Sequence, residues 1–298
     1  MAKAEFEERE FESALYGQLR VDPNLAWSPG QVLESHIGFD YAAVCVDSYL
    51  WALHGIVSPL PGFWLEEMYN RRIWRRRPRN QAPPDFALNL FIQAKRPDHL
   101  ASVAKAVKAK GIKAPYWRIR VVTHQQKILE RLAIGAGDKA LVCYAAPAFH
   151  SRGELFARMR TGSIVQNTSF PEVTKLKGHS AWHYNAPGVG GVANPDPTYV
   201  EVPQLRTQLD VRRKSGRQGE QVSFDQNLKA LEDAIRGLAK EAPVDDDISR
   251  SIILQQKISD IDFWVGEAPE QRYSGAVRAF LVVLAFCDTY ETTWLVAV

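Results

Sequence analysis

The stretch Ala87-Leu88-Asn89-Leu90-Phe91-Ile92, running into Gln93-Ala94-Lys95 and stopped by Pro97, constrains this chain more than any other. It is mostly apolar, as a buried strand should be. Such a strand requires neighbours in a sheet and helices over its faces. The surrounding sequence offers both. Phe39 to Val46 and Tyr49 to Leu53 read as strands, as does Tyr116 to Val122. His124 to Ile134 reads as a helix with Ile128, Leu129 and Leu132 inward, and Ala140 to Tyr144 as a further strand. Ser28-Pro29 has the form of an N-cap followed by proline at the first helical position, opening a short helix that carries Val32, Leu33, Glu34 and Ile37. This succession of helices and strands from 34 to 144 predicts a mixed α/β core.

Outside that core, Phe6, Phe11, Leu15 and Leu19 have helical spacing and predict an amphipathic helix over 4–19. Residues 98–110 are expected as a short helix with a lysine-rich face, 163–165 and 181–184 as short strands, and 185–197 as a loop. Residues 206–222 read as a polar, basic linker, and helices are expected over 223–241, 246–265 and 274–293. The expected organisation is thus an α/β domain over 1–150 and an α+β to mostly helical region over 151–298. The last apolar run, Gly275 to Val298, is interrupted by Arg278, Asp288 and Glu291, which argues against a membrane span. Cys45, Cys143 and Cys287 are far apart and each lies in an apolar run, as reduced core thiols of a cytoplasmic protein would. The acidic, polar start MAKAEFEERE does not have the form of a signal peptide.

The end of the central strand carries the chemistry. Phosphodiester hydrolysis calls for a divalent cation to polarise the phosphoryl oxygen and bind the attacking water. Magnesium takes a few carboxylate or carbonyl oxygens and keeps several waters. A nearby lysine can hold the water and offset charge in the transition state. An acid at the start of one strand and an acceptor-x-Lys triplet ending a neighbouring one would meet this need, because period-two alternation puts both triplet members on one face. Here Asp40 opens the first core strand, Gln93-Ala94-Lys95 ends the central one, and Glu34 lies six residues ahead of Asp40.

Glu34-Ser-His-Ile-Gly38-Phe39-Asp40 followed by Phe91-Ile92-Gln93-Ala94-Lys95 resembles the PD-(D/E)xK, or restriction-endonuclease-like, nucleases. It is most similar to the Gln-x-Lys branch of Mrr-type restriction enzymes and antiphage effector nucleases, over roughly residues 28 to 147. The resemblance implies a restriction-endonuclease-like mixed sheet flanked by helices and a magnesium- or manganese-dependent endonuclease acting on DNA, in bacterial antiphage defence. It implies a metal held by Asp40, Gln93, the Ala94 carbonyl and Glu34, with Lys95 as the catalytic lysine. Gln93 departs from the usual acid: a neutral amide supplies an oxygen without charge, so metal affinity should be weaker. The rival reading is a non-catalytic nucleic-acid-binding subunit of a defence or mobile-element complex, and a homo-oligomer or partner subunit is compatible with either.

The second informative feature is Arg71-Arg72-Ile73-Trp74-Arg75-Arg76-Arg77-Pro78-Arg79, within a proline-rich insertion. Six arginines in nine residues repel one another without counter-anions, and phosphates are natural partners. Trp74 can stack on a base or a sugar. The other reading is a face salt-bridged to acids such as Glu66 and Glu67. The run Arg212-Arg213-Lys214-Ser215-Gly216-Arg217 reads equally as a phosphate contact or a solvated loop. His179 and His183 have zinc-like i, i+4 spacing without a third ligand nearby, and the glycines of 188–191 follow no strand-to-helix phosphate motif.

Overall fold

The computed structural model describes residues 2–21, 88–216, 224–240, 248–266 and 274–297. Glu34, Asp40 and the arginine cluster 71–79 therefore lie outside the described residues. The described chain is mixed α/β.

Strand β2 (Leu88–Ala94) is buried along its whole length, as its composition requires. It pairs in parallel with β5 (Ala140–Pro147) and antiparallel with β10 (Thr293–Ala297), while β6 (Thr168–Ser169) extends the sheet beyond β5. The connection from β2 to β5 runs through β3 (Asp98–Leu100), α2 (Lys105–Lys108), β4 (Tyr116–Arg120) and α3 (Thr123–Ala136). Strands β3 and β4 belong to a second, antiparallel sheet in the order β1-β3-β4-β7-β8-β9. Its other members are β1 (Ala2–Lys3), β7 (Ala181–Tyr184), β8 (Gly191–Asn194) and β9 (Thr198–Val200).

Alternation along β2 divides the core in two. Phe91 faces α3, α6 (Phe224–Lys240) and α8 (Ser274–Thr289), packing in one cluster with Leu129, Leu132, Leu231, Ile235, Val283 and Phe286. Leu88, Leu90 and Ile92 face the other way, onto Phe11, Leu15 and Leu19 of α1 (Glu8–Val21) and Leu209 of α5 (Leu205–Gly216). Burying side chains of this size stabilises by about 1.5–3 kcal/mol each. The remaining helices among the described residues are α4 (Arg152–Thr161) and α7 (Ile248–Gly266), the latter packed against α8. Among the described residues no helix is long and apolar enough to cross a membrane. Cys143 and Cys287 are free and buried.

Several expectations are corrected. The helix expected over 98–110 is β3 followed by a single helical turn, because Asp98 and His99 pair with β1 and β4. The loop expected over 185–197 contains β8. Gly191 permits this, since a Cβ there would sit 2.2 Å from the His183 carbonyl oxygen and 2.7 Å from the Trp182 ring. The linker expected over 206–222 is helical to Gly216, with Leu205, Gln208 and Leu209 buried at helical spacing. The strand expected over 163–165 is a helical turn leading to β6. The helix expected to reach 293 ends at Thr289, and β10 follows. Among the described residues, the region beyond 150 contributes five strands as well as helices, and residues on both sides of 150 share one sheet and one core cluster.

Candidate active site

Gln93 and Lys95 leave β2 on the same face as Phe91, at the carboxyl ends of the parallel pair β2 and β5, where open α/β sheets commonly place ligands. Gln93 is 1% exposed. Its Nε2 donates to the Glu291 carbonyl at 3.5 Å, while its Oε1 is buried and meets no hydrogen-bond donor among the described residues. An acceptor left unpaired in this way costs about 1–3 kcal/mol. Such a group points to a missing donor or cation.

Lys95 Nζ donates to Gln125 Oε1 at 2.9 Å. Gln125 stands in the first turn of α3, and its Nε2 donates to the Tyr290 carbonyl at 3.3 Å. Burial pulls the Lys95 ammonium below the usual lysine range, against the opposing influence of Glu8, Glu291 and Glu12. Glu12 is raised, first by burial and then by Glu8. The three carboxylates come from both ends of the chain. Glu8, Glu12 and Tyr16 recur every fourth residue on α1, beside its apolar stripe, and Tyr16 donates its hydroxyl to the Ile92 carbonyl at 3.3 Å. Glu8 Oε2 accepts from the Arg96 backbone N–H at 3.2 Å.

Glu291 sits in the turn between α8 and β10 at φ 53°, a left-handed conformation that is uncommon for a non-glycine residue. That turn presents the Glu291 carbonyl to Gln93, and the Glu291 carboxylate lies 3.2 Å from Arg250 of α7. Thr292 Oγ1 donates to the Ile92 carbonyl at 2.9 Å, fixing the turn to the strand end. Strained non-glycine residues of this kind cost of order 1–3 kcal/mol and cluster at functional sites.

Of the sequence-predicted residues, Gln93 and Lys95 are brought together, and Ala94 lies between them with its side chain in the opposite core cluster. Glu34, Asp40, Arg71, Arg72, Trp74, Arg75, Arg76, Arg77 and Arg79 lie outside the described residues. The expected neighbour of the triplet strand was the strand that Asp40 opens. The strands hydrogen-bonded to the two edges of β2 are β10 and β5. Among the described residues no group of three acidic, histidine or cysteine side chains is placed to hold a metal. A hard cation nonetheless suits what is present: an unpartnered amide oxygen with carboxylates in electrostatic reach of the same strand end.

Sequence reasoning missed Gln125, Glu12 and Glu291. Gln125 left a signal, because it lies on the inward stripe with Ile128, Leu129 and Leu132, where an amphipathic helix should be apolar. The other candidates are structural. His183 is buried against Tyr116, and His179 Nδ1 lies 2.8 Å from the Pro195 carbonyl oxygen. Arg212 is engaged by Glu172 at 2.6 Å and by the Ala140 carbonyl. No protein family matches the chain, and no curated protein or solved structure matches it either.

Proposed function

We propose that the chain is a metal-dependent nuclease of the restriction-endonuclease-like type, hydrolysing phosphodiester bonds of DNA in antiphage defence in the cytoplasm. The observation that carries this reading is the pairing of Lys95, half-buried and lowered in basicity, with a Gln93 Oε1 that meets no donor among the described residues, on one face of a single strand end. Lys95 would hold the attacking water and stabilise charge on the phosphate, with its ammonium oriented by Gln125. Gln93 and the Ala94 carbonyl would hold magnesium or manganese together with Asp40 and Glu34. The bound ion supplies Lewis acidity at the phosphoryl oxygen. Arg71, Arg72, Trp74, Arg75, Arg76, Arg77 and Arg79 would engage the substrate's phosphates and bases.

The test is cleavage of plasmid DNA with magnesium by the wild-type chain and by Asp40→Ala. The expected result is nicking or linearisation that the substitution abolishes with DNA affinity retained. Equal turnover by the two proteins removes Asp40 from the mechanism. The occupied edges of β2 favour one other reading, a non-catalytic nucleic-acid-binding subunit, in which Gln93 and Lys95 merely close the strand end. Wild-type binding with no cleavage under any divalent ion would select it.

A further inference from the structure

Between His99 and Leu129 the chain holds five lysines and two arginines and not one aspartate or glutamate, although the whole protein is only +3. Four of the lysines, Lys105, Lys108, Lys110 and Lys113, fall within nine residues of the excursion that joins β3 to β4, and all four are exposed. Among the described residues none of them forms an ion pair, whereas Arg118 and Arg120 on β4 lie within 4 Å of Asp98.

The excursion is held in place. Val107 and Ile112 are buried with Tyr116 and Val192 in a small cluster of their own. The Lys113 backbone N–H donates to Asn185 Oδ1 at 2.9 Å, and Asn185 Nδ2 donates to the Pro115 carbonyl at 3.0 Å. Gly111 closes the helical turn at φ 99°, a conformation that L side chains rarely adopt. Four cations are thus kept close on a fixed backbone, with no acid among the described residues to neutralise them. Self-repulsion makes that arrangement costly for a free protein. A preformed loop, in turn, loses little entropy on binding.

The chemistry selects the partner. Lysines are point charges on flexible stems, suited to repeated phosphates and not to bidentate pairing. The other exposed side chains of the turn are small (Ala104, Ala106 and Ala109), so it lacks the aromatic or arginine anchors on which protein interfaces depend. Location agrees: Lys105, the nearest of the four, is ten residues beyond Lys95, at most about 35 Å of extended chain. That span is about ten base pairs of duplex, counting 3.4 Å per step. We propose that the loop 101–115 is a nucleic-acid phosphate-binding surface that holds the backbone flanking a bond presented to Lys95. The proposal rests on the nuclease reading for the presented bond only.

The test is a fluorescence-anisotropy titration of a labelled duplex with the full chain, from about 50 to about 200 mM salt. The Lys105→Ala/Lys108→Ala/Lys110→Ala/Lys113→Ala protein and Lys95→Ala are titrated alongside. The quadruple variant should lower the log–log salt slope by about 0.9 for each phosphate it no longer neutralises, weakening binding across all sequences. Asn185→Ala keeps the lysines but frees the loop, and should weaken binding with a wild-type slope. Lys95→Ala should bind with the wild-type slope and, in a parallel cleavage assay, cut at least about a hundredfold more slowly. A quadruple variant that keeps its fold by circular dichroism and the wild-type slope overturns the proposal, and so does a wild-type chain that binds no nucleic acid. Binding with the predicted slope change but no cleavage would leave the surface standing and sink the nuclease reading alone.

Discussion

The Lys95 ammonium is bonded to the side chain of Gln125 at 2.9 Å, and the same glutamine reaches on to the Tyr290 carbonyl. Lys95 is therefore tied through one residue to the turn that also holds Gln93. Arginine keeps the charge but brings a planar, bulkier group with different donors. Lys95→Arg and Lys95→Ala should both bind DNA and cut at least about a hundredfold more slowly, the scale for losing one such electrostatic group. Single-turnover cleavage with enzyme in excess separates this from a binding defect. Wild-type rates in both variants would end the case for Lys95 in catalysis.

Gln125→Leu should act on the lysine and not on the substrate. The Tyr290 carbonyl loses a donor and Lys95 its acceptor, at a cost to stability of about 1–3 kcal/mol. Cleavage should fall less than in Lys95→Ala, and Gln125→Glu should recover part of the loss by restoring an acceptor. Urea denaturation and single-turnover rates on the same preparations check both halves. Full activity in Gln125→Leu would show that this hydrogen bond is not used.

Gln93→Glu replaces a buried donor to the Glu291 carbonyl with a charge. Without magnesium the variant should melt below wild type, since burying an uncompensated carboxylate is expensive. Magnesium should stabilise the variant more than it stabilises wild type, because ligand binding to the folded state raises its stability. Melting curves with and without the ion decide this, and identical shifts in both proteins would place no cation at this strand end.

His183 supplies a pH signature independent of the site. Burial, with Arg118 adding to it, pulls its pKa from 6.5 down to about 4. Between those values the unfolded chain binds the extra proton, so stability rises with pH across the window and is lost as pH falls from 6.5 towards 4. The full effect is about 3 kcal/mol at 1.36 kcal/mol per pKa unit. His183→Gln cannot titrate and should show a flatter acid limb in denaturant midpoints. A limb as steep as wild type would remove His183 from acid unfolding.

Much of the α/β core was legible because its signals are local. The near-continuous apolar run of β2, the inward stripe Ile128, Leu129, Leu132 and the run Ala140 to Tyr144 each carry their own pattern, and each is an element of the expected type. What escaped depends on distant partners or on chemistry outranking composition. Ser151 and Glu154 form a capping box that starts α4, with Gly162 ending it at φ 63°, yet the helix has one buried side chain and little amphipathic pattern to announce it. Thr292-Thr293-Trp294-Leu295-Val296 favours a strand, but it follows directly on the apolar α8, and periodicity alone cannot divide such a run. At the site, Gln93 and Lys95 were legible as a strand-end triplet. Gln125 showed only as a polar residue on an apolar stripe, and Glu12 and Glu291 not at all, because nothing local marks residues from α1, α3 and the α8–β10 turn as neighbours.

The pairing of β10 with β2 also sets a clock. Thr292 grips Ile92 across 200 positions of sequence, so the strand that ends in Lys95 has one bare edge until the far segment has been made. At a synthesis rate of about 5–20 residues per second, that interval lasts roughly 10–40 s on the ribosome. Throughout it the turn carrying Glu291 does not exist and Gln93 has no partner for its amide. A nascent chain is therefore without the assembled strand end until β10 has been made.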